Sequence, residues 1–141
     1  MLDKMQDALR AMGAEVTETL YSAGEYYDGE QHGETFPCVF VVNDRELNGF
    51  VGCAIRRTIE RYIRRNPSFT YSESHSGVYD RFRVSLKADA DRAAALNLES
   101  AAFLEAFWQA IHVNPAAREN NAALAILAGR EAVKRLHAEA A

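Results

Sequence analysis

The sequence predicts an α+β fold, in which an antiparallel sheet of about four strands packs against three to four amphipathic helices. Apolar residues recur at three- and four-residue spacing in several stretches, which is the period of a helix. Elsewhere they alternate with polar residues or form short β-branched runs, which predicts strands. With 141 residues, 48% of them apolar and 26% charged, the chain has the size and composition of one globular domain. We therefore expect residues 1–141 to form a single α+β domain.

The first four predicted elements switch between these two periods. Residues 3–12 have helical spacing and are followed by Gly13, which predicts a short helix. Alternation over residues 14–22 predicts a strand. Residues 23–35 contain three glycines and many acidic groups, so we expect a turn or an exposed loop. The apolar run over residues 36–42 predicts a central strand that forms an antiparallel hairpin with the first.

The strongest helical pattern covers residues 45–65. Asn43 or Asp44 can cap this helix. Asn66 ends it, because the residue before a proline is disfavoured in the helical conformation. We expect one continuous helix that buries an apolar stripe and leaves its arginines outside. The stripe consists of Leu47, Phe50, Val51, Ala54, Ile55, Ile59, Tyr62 and Ile63.

A second hairpin follows, with alternating strands over residues 68–75 and 78–87. Ser76-Gly77 between them is a good two-residue turn. Because side chains on a strand point alternately to opposite faces, one face of the second strand is apolar and the other basic. The basic face carries Tyr79, Arg81, Arg83 and Lys87.

The rest of the pattern is helical. Asp89 or Asp91 can cap the first of these helices. Asn114-Pro115 predicts a restart, because proline suits the first position of a helix. The last helix runs to about Ala138, and Gly129 can bend it.

We expect a cytoplasmic protein without a membrane partner. The N-terminal residues lack a positive flank followed by an apolar stretch, and no run approaches the ~18 apolar residues of a membrane helix. Cys38 and Cys53 each lie in an apolar run, which predicts two buried free thiols. A disulfide between them would fit an oxidising compartment, which nothing else in the sequence indicates.

Charge is segregated along the chain. Residues 1–44 carry two basic and nine acidic side chains, a net of −7, whereas residues 45–87 carry nine basic and four acidic ones, a net of +5. Such asymmetry can attract a charged partner, or the two regions can complement each other within the fold or in a homo-oligomer.

Two segments invite a chemical interpretation. Residues 28–34 imitate the opening of a calcium loop, but Val39 stands where the bidentate glutamate belongs, so we predict no metal and no cofactor. His75, beside Glu73 and Ser74, suggests a hydrolase or transferase. A catalytic triad needs a nucleophile on a fixed turn beside its base, and no glycine-framed nucleophile accompanies these residues.

The arginines are the most informative feature, since five of them fall within ten residues of one predicted helix. Arginine donates two parallel hydrogen bonds to phosphate or carboxylate. Together with nearby tyrosines, they predict a phosphate-binding or protein-binding surface, and a merely solvated face is the alternative. The candidate residues are Arg56, Arg57, Arg61, Arg64, Arg65, Tyr71, Tyr79, Arg81 and Arg83.

The order of helix, aromatic hairpin and two helices over about residues 50–90 resembles small antirestriction proteins carried by plasmids. The resemblance rests on aromatic and apolar spacing and implies an accessory protein of a phage or mobile element. Our preferred hypothesis is a small non-enzymatic protein that acts by protein–protein interaction on a larger complex, as an inhibitor or modulator. The alternatives are a nucleotide or nucleic-acid binding protein and an enzyme centred on His75.

Overall fold

The structure, a computed structural model, describes residues 2–114 and 122–140. It confirms the α+β class, because the described residues contain one four-stranded antiparallel sheet and five helices. The strands are arranged in the order β1-β2-β4-β3. The elements are α1 (Leu2–Ala11), β1 (Glu15–Tyr27), β2 (Gln31–Asp44), α2 (Arg45–Asn48), α3 (Gly52–Arg65), β3 (Phe69–Ser76), β4 (Tyr79–Leu86), α4 (Lys87–Val113) and α5 (Ala123–Ala140).

These elements group into two compact units. The first consists of Met1–Tyr21 and Phe36–Ala90, and the second of Ser22–Thr35 and Asp91–Ala141. The expectation of a single domain stays a prediction.

The core of the first unit joins α1 and α3 to one face of the sheet. Its fully buried side chains include Leu9 from α1, Ile55 and Ile59 from α3, and Phe82 and Val84 from β4. Burying a side chain of this kind contributes about 1.5–3 kcal/mol. The core therefore fixes which side of α3 faces the sheet and which side faces solvent.

The prediction of one continuous helix over residues 45–65 is wrong, because the helix is interrupted between α2 and α3. Asp44 caps α2, and its carboxylate accepts hydrogen bonds from two amides of the first turn. Gly49 then adopts a φ of +81°, a conformation that side chains disfavour. The buried Asn43 side chain donates a hydrogen bond to the Gly49 carbonyl at 3.1 Å and so holds the break in place.

The turn or loop predicted over residues 23–35 is shorter in the structure, since β1 continues to Tyr27 and β2 begins at Gln31, which leaves only residues 28–30 between the strands. Glycine serves close packing here. The amide of Gly24 donates to the Asn97 side chain at 2.9 Å, and a Cβ on Gly24 would lie only 2.7 Å from the Cβ of Leu96. A larger residue could not approach the helix this closely.

Two further boundaries differ from the predictions, and a third predicted boundary is not fully covered by the described residues. Ser76 pairs with Tyr79, so the hairpin turn is Gly77-Val78 and lies one residue later than predicted. Helix α4 begins at Lys87, directly after β4 and before either predicted cap. The predicted restart at Asn114-Pro115 extends outside the described residues.

Candidate partner-binding surface

The outer side of α3 carries four arginines. The opposite side of the helix buries Ile55 and Ile59 completely, with 0% of either residue exposed. Because the helical period separates the two sides, the arginines are held in solvent by the packing of the isoleucines. We call these four exposed residues the arginine face: Arg57, Arg61, Arg64 and Arg65.

The arginine face is not neutralised by the chain itself. In the described residues, none of its four side chains forms an ion pair or a hydrogen bond with another side chain. Arg57, Arg61 and Arg65 follow one another at four-residue spacing, and each like-charge pair of this kind costs a helix about 0.2–0.5 kcal/mol. The face is therefore a concentration of positive charge without an internal counterpart.

Two large apolar side chains are exposed where α2 ends and α3 begins. Leu47 is 88% exposed and Phe50 is 86% exposed. The prediction that both belong to a buried stripe is wrong, and so is the same prediction for Ala54, which is exposed. The break at Gly49 is the reason for the first two, since it takes them off the helical period of α3. The Arg45 guanidinium carbon lies 5.8 Å from the centre of the Phe50 ring.

Arg56, the remaining arginine of α3, is paired within the first unit. It holds Glu73 through two hydrogen bonds of 2.7 and 2.6 Å. The ring of His75 lies between two carboxylates, with Nε2 at 2.7 Å from Glu73 and Nδ1 at 2.7 Å from Asp80. Asp80 in turn lies 3.7 Å from the Arg45 guanidinium. We call this series of alternating charges the ionic chain.

The ionic chain favours a protonated His75. Hydrogen bonds to Asp80 and then to Glu73 raise the pKa of His75 above its ordinary value. The paired Arg56 guanidinium lowers the pKa of Glu73, against the opposing effect of burial. Burial alone would raise the pKa of Asp80, but hydrogen bonds from Asn43 and His75 lower it overall. A cationic imidazole thus joins a carboxylate of β3 to one of β4.

The hydrolase or transferase alternative stays a prediction, and this geometry does not favour it. Both ring nitrogens of His75 already face carboxylates, which leaves neither free to take a proton from a nucleophile.

A cleft of about 180 Å³ beside the ionic chain includes Cys53 and His75 in its lining. Cys53 is exposed, so the prediction of a buried thiol is wrong there, whereas Cys38 is free and buried as predicted.

The other predicted residues lie on both faces of the sheet. Tyr71 is on the face covered by α3, where its hydroxyl donates to a glutamate of that helix at 2.8 Å. Arg81 and Arg83 are on the opposite face, because they alternate with buried residues along β4. Their guanidinium carbons lie 5.2 Å from the ring centre of Tyr79 and 3.9 Å from that of Tyr21. The nine candidates therefore do not form one surface.

Sequence reasoning missed the exposure of Leu47 and Phe50. The signal that could have revealed it is local: Asp44 starts a helix, and Gly49 stands directly before Phe50. A glycine at this position is typical of a helix end, because it accepts the left-handed conformation. Sequence reasoning also missed Lys4, whose place beside α3 depends on how α1 packs against that helix.

The fold places the chain in the α+β class of proteins with a four-stranded antiparallel sheet. Comparison with protein-family models, with curated proteins and with solved structures gives no match. Among residues 2–114 and 122–140, no helix has the length and apolar character needed to cross a membrane, and no group of metal-ligating side chains fits a metal ion. Function is therefore inferred from the charge and exposure of the surfaces.

Proposed function

We propose that the protein is a non-enzymatic binding protein that docks through the arginine face on an acidic surface of another protein. The observation that supports this most strongly is the set of four exposed arginines without ion pairs in the described chain. Like-charge spacing along α3 costs stability, and a partner that supplies carboxylates would relieve this cost.

The exposed apolar residues beside α3 favour a protein partner over a small anion. Aromatic residues and arginine dominate the binding energy of protein interfaces. Phe50 and Leu47 are almost fully exposed in the first unit, which buries other residues of their size, so a partner that covers them gains apolar area. An accessory protein of a mobile element that modulates a host complex would act in this way.

The test is a double charge reversal, Arg57→Glu with Arg61→Glu. Wild type and variant are immobilised, and the proteins they retain from native host lysate are compared by mass spectrometry. We expect at least one protein that wild type retains and the variant loses, while the melting temperature changes little because both residues are exposed.

The matched control is Lys87→Glu with Arg135→Glu, which changes the net charge equally at exposed positions that do not belong to α3. Equal losses in both variants would show a general charge effect and would count against the proposal. Unchanged retention by the α3 variant would exclude the arginine face as the docking surface.

A second candidate function is single-strand nucleic-acid binding by the outer face of β4. The stacking of Arg83 on Tyr21 and of Arg81 on Tyr79 favours it, because bases stack on aromatic rings and on guanidinium planes. Affinity for a labelled oligonucleotide should fall steeply with salt and be lost in Arg81→Ala/Arg83→Ala. Since these residues and the arginine face lie on opposite sides of the sheet, the two pairs of variants separate the two functions.

A further inference from the structure

A groove between α1 and α3 combines apolar walls with positive charge. Its volume is about 380 Å³, which lies at the lower end of the range of ligand pockets. Met5, Ala8 and Tyr62 supply the apolar part, and Thr58 and Asn66 add polar groups. The charged residues of the lining are Lys4, Arg61 and Arg65.

All three charged side chains of this groove are cationic. None of them is engaged in an ion pair within the described part of the chain, and no carboxylate lines the groove. The polar groups have local partners: the Thr58 hydroxyl donates to a carbonyl of α3 at 3.0 Å, and the Asn66 amide donates to the Tyr62 carbonyl at 2.9 Å. The charges that remain available to a ligand are positive.

We propose that this groove binds an acidic peptide segment of a partner protein, with one apolar side chain of the segment seated between α1 and α3. The inference rests on the proposed function, since it names the part of the partner that the arginine face would receive. Charge complementarity selects the occupant: carboxylates on both sides of the seated residue can reach the three cations. The apolar walls distinguish such a segment from a nucleic-acid backbone, whose phosphates and sugars offer nothing to fill them.

The test is a selection from a displayed library of random nine-residue peptides on the wild-type protein. We expect the retained peptides to share an aromatic or aliphatic residue flanked by aspartate or glutamate. One retained peptide is then synthesised with a fluorescent label, and its affinity is measured by anisotropy. Arg61→Glu/Arg65→Glu should weaken binding by about tenfold or more, because two charge-assisted contacts become repulsive.

The matched control is Lys87→Glu/Arg135→Glu, which makes the same charge change at exposed positions outside the arginine face and outside the groove lining. An equal loss in the two variants, peptides without acidic residues, no enrichment, or competition by a short oligonucleotide would each overturn the inference. If the peptide experiment fails, the docking proposal still stands provided that Arg57→Glu/Arg61→Glu loses a host protein that wild type retains from lysate. If that variant retains the same proteins as wild type, both proposals are excluded.

Discussion

At the scale of single residues, identical side chains on α3 have different roles because their neighbours differ. Arg56 and Arg57 are adjacent in the sequence, yet Arg56 is held by Glu73 and Arg57 is exposed. Arg56 therefore links α3 to β3, whereas the guanidinium of Arg57 stays exposed. Sequence spacing predicts the outward direction of Arg57. The carboxylate that pairs with Arg56 belongs to Glu73 of β3, 17 positions later in the sequence.

The first prediction concerns His75 and the pH dependence of stability. The pKa of His75 is raised in the folded protein. Its contribution to the free energy of unfolding is therefore complete below the unfolded pKa of about 6.5, and it is lost as the pH rises through the folded pKa. The lowered pKa values of Glu73 and Asp80 give a contribution that is present above about pH 4.3 and lost as pH falls through their folded values. The ionic chain is therefore most stabilising between these limits.

We expect the melting temperature of wild type to exceed that of His75→Gln most at about pH 5–6. The difference should shrink as the pH rises above about 6.5. Thermal unfolding at a series of pH values measures this difference. His112→Gln, which removes an exposed histidine from α4, is the control and should follow wild type. A constant difference between wild type and His75→Gln at all pH values would contradict the ionic chain as described.

The second prediction concerns the two thiols. Cys53 is exposed, whereas Cys38 is buried, and burial raises the pKa of the Cys38 thiol despite the nearby Arg83. A thiol reagent should modify Cys53 in the native protein and reach Cys38 only after unfolding, because the thiolate is the reactive form. Mass spectrometry after timed labelling counts the modified sites. Cys53→Ser should remain unlabelled in the native state, and rapid labelling of that variant would contradict the assignment.

At the scale of elements, glycine permits contacts that the helical pattern does not reveal. A Cβ on Gly129 of α5 would lie 2.4 Å from the ring of Phe103 on α4, closer than atoms can pack. Phe103 is itself 1% exposed and stacked against Tyr26 at 4.7 Å, so it has little room to move. Gly129 therefore lets α5 approach the aromatic cluster of the second unit.

The third prediction is that Gly129→Ala destabilises the protein. Alanine gains about 1 kcal/mol over glycine in a helix interior, but overpacking a tight core costs about 1–3 kcal/mol. We expect the free energy of unfolding to fall by up to about 2 kcal/mol, which is the difference between these two effects, as measured by denaturant unfolding. Ala94→Gly, at an exposed position inside α4, is the control, because it measures the difference in helix propensity without a change in core packing. A more stable Gly129→Ala would show that the ring of Phe103 yields easily.

At the scale of the whole molecule, two carboxylates of the acidic region pair with the C-terminal helices. In the second unit, Arg130 lies 3.5 Å from Asp28, and Arg92 lies 3.0 Å from Glu34. Residues 22–35, which we call the acidic hairpin, are thus partly paired by α4 and α5. The arginine face has no ion pair in the described residues.

The fourth prediction concerns self-association, which the segregated charge favours. If the acidic hairpin of one copy meets the arginine face of another, the measured mass should fall from dimer to monomer between about 0.01 and about 1 M salt, as screening shortens from about 30 to about 3 Å. Light scattering coupled to gel filtration measures the mass. Association that strengthens with salt would contradict this and would implicate exposed apolar residues such as Trp108 and Leu127.

Local chemistry accounts for the parts of the fold that were predicted correctly. The Asp44 cap, the helix end at Asn66 and the alternation along β4 depend on residues close in sequence, and all three are present in the structure. The wrong predictions involve distant contacts. Asn43 holds the break before α3, and Gly24, in the part of β1 that was predicted as turn or loop, packs against Leu96 of α4.

The candidate site divides in the same way. The sequence by itself determined the fold class and the outward direction of the arginines on α3, because hydrophobic period and helix caps act over a few residues. Only the tertiary structure decided which arginine is paired, that Phe50 is exposed, and that Lys4 joins Arg61 and Arg65 in one groove. These outcomes depend on which distant segments meet, and packing of the whole core selects those partners.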